Sequence, residues 1–170
     1  IVSPRPSWSS SPRSTTAWPP IEVTATSNDT LVRVDGFSKI RATCLLQLFK
    51  SANPNYADGE FGRDFIYVKD AVDITLHFLE NDASGLFNVG SGQVHTWNAL
   101  ADAIFKALDT PKNVEFIDMP ELLRDRYQYH TQADISRLRK TGYKAEITPL
   151  DDAVADYIHR YLIPGKFLGD

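Results

Sequence analysis

LFKSANPNYADGEFGRDFIYVKD, residues 48 to 70, is the stretch on which the reading of the whole chain turns. It begins apolar and then loosens into a polar segment holding Asn53, Pro54, Asn55, Asp58 and Gly59. It tightens again at Arg63-Asp64-Phe65-Ile66-Tyr67-Val68, where β-branched and aromatic residues predict a short strand. Asp70 is placed to cap a helix, with Asp73 adding negative charge to its first turn. The order is therefore strand, long polar loop, strand, helix. A loop of about a dozen residues that keeps an Arg at its mouth is more often functional than idle.

Downstream, Val72, Leu76 and Leu79 predict one face of that helix, widened by Ala71, Ile74 and Phe78. Leu86-Phe87-Asn88-Val89 predicts a short buried strand running into Gly90-Ser91-Gly92. Thr96 is a candidate cap for a second helix, carried by Leu100, Ile104 and Leu108 and stopped near Pro111. Val114 to Ile117 reads as a strand, and Pro120 to Gln132 as a polar, irregular stretch. Ala133 to Lys140 predicts a short helix closed by Gly142. Thr148, Pro149 and Asp151 open a last helix with an apolar face of Leu150, Val154, Tyr157, Ile158 and Tyr161. Upstream, Phe37, Ile40 and Leu45 predict a helix between Ser38 and Leu46. There is no internal repeat.

Residues 1 to 30 differ from the rest. The first twenty are dominated by Ser and Pro, carry Arg5 and Arg13 and have no acidic residue, so an irregular or disordered segment is expected. An aberrant N-terminus, a targeting remnant or a proline-motif ligand would each account for it. Residues 31 to 170 are then expected to form the α/β domain.

With 170 residues and a net charge of −4, neither nucleic acid nor an anionic membrane is the expected partner. No apolar run approaches the roughly 20 residues that span a bilayer. The single cysteine, Cys44, excludes an internal disulfide and suits a reducing compartment such as the cytoplasm. Its Leu-rich neighbours predict an inert, apolar thiol. His77, His95, His130 and His159 lack the short spacings of a zinc site, so no metal is expected. The chain has neither the G-x-G-x-x-G turn of a dinucleotide-binding unit nor a Tyr-x-x-x-Lys pair, and no catalytic residue is assigned. Gly90-Ser91-Gly92 alone reads as a tight turn. What remains is a binding surface for a phosphorylated ligand. Arg63 is the first candidate, because a guanidinium entering a strand offers a bidentate fork to a diphosphate. A salt bridge to Asp64 or Asp70 is the competing reading.

Three words carry a resemblance: NPNY-x-DGE leading into RDFIYVKD, then GLFNVGSG, then RYQYHTQAD over residues 126 to 134. From about Leu46 to Leu162 the chain resembles the C-terminal, substrate-binding lobe of an extended short-chain dehydrogenase/reductase, most closely the ADP-heptose 6-epimerase group. The RDF word marks extended reductases generally; the other two narrow it. The resemblance implies a small mixed sheet with three or four helices and most of the Rossmann lobe absent. It implies that Phe49, Lys50 and Ser51 cradle a nucleotide sugar and that Arg63 and Tyr127 contact it. It also implies an NADP-dependent epimerisation at C6 of ADP-heptose, in lipopolysaccharide-core synthesis, and a cytoplasmic enzyme that could form homo-oligomers. This chain would be the half that holds the substrate. In this family a glycine usually stands where Cys44 is. Another extended-reductase epimerase or dehydratase, or a non-enzymatic interaction module, remain the alternatives.

Overall fold

A computed structural model describes residues 36–166. The irregular segment expected over residues 1–30 lies outside the described residues. Helix α1 (Gly36–Thr43) leads into strand β1 (Leu46–Phe49). Cys44 ends the helix in the left-handed region at φ 50°, its N–H bonded to Ile40 O at 2.7 Å. That conformation favours glycine. It is therefore a helix stop, and its thiol is exposed rather than lodged among the leucines.

Strand β2 is only Gly62–Arg63, and the chain from Asp64 to Tyr67 runs on without strand pairing. The expected strand over 63–68 is thus cut to its first residues. Val68 already begins helix α2 (Val68–Glu80), two residues before the anticipated cap. Asp70 lies in the first turn, and its carboxylate accepts the Thr148 N–H and hydroxyl at 2.9 and 2.8 Å. One contact corrects two expectations. Asp70 is not the cap of α2, and Thr148 is not the cap of the last helix; they hold each other.

Strand β3 (His95–Thr96) runs straight into helix α3 (Trp97–Ala107). Here the cap falls where expected, with Thr96 Oγ1 accepting the Ala99 N–H at 3.0 Å. Strand β4 (Val114–Ile117) matches its predicted span. Two one-turn helices follow, α4 (Glu121–Arg124) and α5 (Ser136–Lys140), and then α6 (Leu150–Tyr157) passes into a π-helical turn over Ile158–Leu162. Helix α5 falls within the span expected over 133–140, whereas α4 lies in the stretch read as irregular; the described residues hold six α-helices.

The strands form two small pairs. Strand β1 lies parallel to β4 with Leu46 opposite Val114 and Phe49 opposite Ile117. Strand β2 lies antiparallel to β3, with Gly62 opposite Thr96 and Arg63 opposite His95. Helix α3 packs chiefly on α6, burying Ala101, Ala103 and Phe105 on one side and Ala153 and Ile158 on the other. A second cluster joins Ile74, Leu138 and Tyr143, with Ile66, Phe78, Ile135 and Ile147 against it.

Two apolar features expected inside are outside. On α2 the buried residue is Ile74; Val72, Leu76 and Leu79 are 46%, 48% and 78% exposed. The helix carries apolar side chains on two faces and this domain covers one. Leu86 to Val89 is not a buried strand: Leu86 is 85% exposed, and no strand pairs with the segment among the described residues. A strand exists only through a neighbour that takes its backbone hydrogen bonds. Phe87 is tied in, 4.6 Å from the Phe78 ring and under the Arg137 guanidinium at 5.3 Å, and the Asn88 amide donates to Asp134 O at 3.1 Å.

Candidate functional site

The polar loop after β1 is stitched by its own short side chains. Ser51 Oγ donates to Asn53 O at 2.8 Å, and the Ser51 N–H donates to Asp58 Oδ1 at 2.6 Å. Gly59 is buried in the left-handed region at φ 74°, with the Asn98 amide packed where a side chain would stand. Two residues later Phe61 is almost fully buried and fixes the start of β2.

Gly62 is the crossing point. It pairs with Thr96 on one side and bridges His130 on the other, donating its N–H to Tyr129 O and accepting from Thr131 N–H. This brings the RYQYH segment, far away in sequence, alongside Arg63. The Arg63 guanidinium lies 5.0 Å from the centre of the Tyr127 ring and donates to Gly62 O at 3.1 Å. The competing salt bridges are not formed: among the described residues no carboxylate pairs with Arg63. Tyr127 is fenced by Phe61 and Tyr129, edge-on at 5.3 and 5.4 Å. Burial is the largest influence on its hydroxyl pKa and raises it, while the Arg63 charge and the Trp97 N–H act the other way.

The Phe49-Lys50-Ser51 loop reaches this cluster indirectly. The Ala52 N–H donates to the Tyr129 hydroxyl at 3.1 Å, and Tyr129 also stacks on Tyr56 at 5.2 Å. Phe49 sits in β1 opposite Ile117. Lys50 is turned to Asp118, 3.0 Å away, in an exposed pair of the kind that contributes little. The structure thus joins Arg63 and Tyr127 directly, links Ser51's neighbour to them through Tyr129, and directs Lys50 elsewhere.

Asp64 is the residue that sequence reasoning missed. Its carboxylate accepts from Ser91 N–H at 2.7 Å, Ser91 Oγ at 2.6 Å, Gly92 N–H at 2.9 Å and Ala133 N–H at 2.9 Å. Burial raises its pKa, but the Ser91 hydroxyl and the three amides together leave it below the ordinary carboxylate value. All three words of the resemblance meet at this carboxylate. A clue lay in the sequence, since an Asp between Arg and Phe in an apolar strand needs donors. Gly90 is packed against Ala133 so tightly that a side chain would collide with it. The Gly-Ser-Gly turn therefore spends its amides on Asp64. A dinucleotide cradle needs such amides free for phosphate, so these residues do not fit one. Among the described residues no three metal-ligating side chains cluster, and no helix is long and apolar enough to cross a membrane.

No protein-family model matches the chain. It is 45% identical over 127 residues to the ADP-L-glycero-D-manno-heptose-6-epimerase of Nitratidesulfovibrio vulgaris, covering 74% of this chain and 39% of that protein. The Fusobacterium nucleatum enzyme of the same name is 41% identical over 133 residues, covering 74% and 40%. Among solved structures, the Helicobacter pylori ADP-L-glycero-D-manno-heptose-6-epimerase superposes with a TM-score of 0.59 at 23% identity, over 74% of this chain and 35% of that one. The Bifidobacterium longum UDP-glucose 4-epimerase, solved with NAD+ and UDP, gives 0.58 at 24% identity over 77% and 39%. The chain spans about two fifths of the length of the curated relatives it matches.

Proposed function

We infer that this chain carries the nucleotide-sugar-binding part of an ADP-heptose 6-epimerase, on the premise that its aligned part belongs to the extended short-chain dehydrogenase/reductase epimerases. The observation that carries the reading is Arg63. A guanidinium with no carboxylate partner among the described residues, held over the face of a tyrosine ring, is suited to a diphosphate. Phe49, Lys50 and Ser51 would line the same ligand once Lys50 leaves its exposed pair with Asp118. The ligand is ADP-heptose, and the reaction of the whole enzyme is NADP-dependent epimerisation at C6. The Gly-Ser-Gly turn offers NADP no cradle, so redox chemistry belongs to a lobe beyond the described residues. The protein is cytoplasmic in this reading.

Calorimetric titration with ADP-heptose, ADP-ribose and UDP-glucose tests it. ADP ligands should bind and UDP-glucose should not. Arg63→Ala should lose about 1.5–3 kcal/mol, the usual range for a charged hydrogen bond. Equal binding of UDP-glucose would move the assignment to another extended-reductase epimerase. A second reading, an interaction module without catalysis, is favoured by the apolar stripe left exposed on α2. A folded chain that binds no nucleotide sugar would decide for it.

A further inference from the structure

The Trp97 indole nitrogen is buried and has no hydrogen-bond partner among the described residues. A buried N–H left without an acceptor is costly, so such a group calls for an explanation. Trp97 is the first residue of α3, directly after the Thr96 cap, and β3 ties this corner to Arg63 through the Arg63–His95 pair. The ring meets Phe65 edge to face at 5.3 Å. The polar group within its influence is the Tyr127 hydroxyl, on which the indole N–H acts without closing a full hydrogen bond.

Tyr127 cannot swing away, because Phe61 and Tyr129 flank it and Arg63 covers its face. A phenol hydroxyl can donate one hydrogen bond while accepting another. A hydroxyl that donates to an anionic oxygen becomes a better acceptor, since hydrogen bonds in a chain strengthen one another. We propose that Trp97 is a positioning residue for Tyr127: its indole N–H bonds the Tyr127 hydroxyl when that hydroxyl donates to a phosphate or sugar oxygen of a bound nucleotide sugar. Arg63, Tyr127 and Trp97 then act as one unit, with the orphaned N–H as the part completed by ligand. This rests on the reading that Arg63 and Tyr127 face the ligand.

The test is a double-mutant cycle on the full chain, titrated with ADP-ribose. Trp97→Phe keeps a ring and removes the N–H. It should weaken binding about 5-fold, as expected for one hydrogen bond, and leave the thermal midpoint unchanged or higher. Tyr127→Phe should weaken binding at least as much, and the double variant no further than Tyr127→Phe alone. In the wild-type chain, ADP-ribose should also shift the Trp97 indole N–H resonance, identified by its nuclear Overhauser contacts to Phe65, and Tyr127→Phe should abolish that shift. Additive losses, an unaffected affinity in Trp97→Phe, or an indole resonance indifferent to ligand would each overturn the proposal. If Arg63→Ala weakens binding and Trp97→Phe does not, the nucleotide-sugar reading stands and this inference alone falls. If the wild-type chain ignores ADP-ribose, both fall together.

Discussion

Helices α2 and α3 both carry apolar side chains around much of their circumference, yet they meet opposite fates. Helix α3 buries Ala101, Ala103 and Phe105 and begins at a hydrogen-bonded Thr96 cap. Helix α2 buries Ile74, has no side-chain cap at Tyr67, and leaves Val68, Val72, Leu76 and Leu79 open. The difference lies in what each has to pack on. Helix α3 has α6 beside it, and its polar residues Asn98, Asp102 and Lys106 form a single stripe that is itself tied in, Asn98 to Asp58 O and Lys106 to Asp151 of α6. On α2 the polar residues Lys69, Asp73 and His77 separate two apolar stripes, and only the one with Ile74 and Phe78 reaches Leu138 and Tyr143. The exposed segment Leu86 to Val89 follows α2 directly. An apolar pattern says how much a helix would gain from burial; it does not say which neighbour supplies it.

The contrast can be broken most sharply at Phe105. Truncation to Ala removes a fully buried ring and should cost about 3–5 kcal/mol in urea unfolding. Thr96→Ala should cost about 1 kcal/mol, the typical worth of a lost cap. The smallest effect belongs to the open stripe. Leu76→Lys with Leu79→Lys should change unfolding stability by no more than about 0.5 kcal/mol for each site, as for other exposed positions. A loss from the double lysine variant as large as that at Phe105 would mean that the α2 stripe is covered in solution. The two helices would then be alike after all.

How legible these regions were follows the same line. The Thr96 cap, the Val114–Ile117 strand and the body of α3 could be read in advance, because cap chemistry and periodicity are local properties. The Arg63–Tyr127 pairing was legible only through the family resemblance, since residues so far apart in sequence meet through Gly62 and Tyr129. The choice of buried face on α2 and the unpaired Leu86–Val89 were not legible. Each depends on a neighbouring element rather than on the residues themselves. Asp70 and Thr148 show the same limit in miniature: each has the chemistry of a helix cap, and each spends it on the other. Trp97 was missed because an aromatic at a helix start looks ordinary until its partners are known, and Asp64 because its need for donors does not say which distant amides meet it.

The Asp64 knot makes three distant segments depend on one side chain. One carboxylate closes on residues 27 and 69 positions further along the chain. Loops of that length must shut before the knot returns any energy. The β1–β4 pair closes a loop as long as the Asp64–Ala133 link, but the stretch around Arg63 and Tyr127 draws on Ser91 and Ala133 through a single side chain. We predict that the corner around Arg63 and Tyr127 opens more readily than the interior of α3. Amide exchange should be faster for Ser91, Gly92 and Ala133 than for the interior of α3, even though all three amides are hydrogen-bonded.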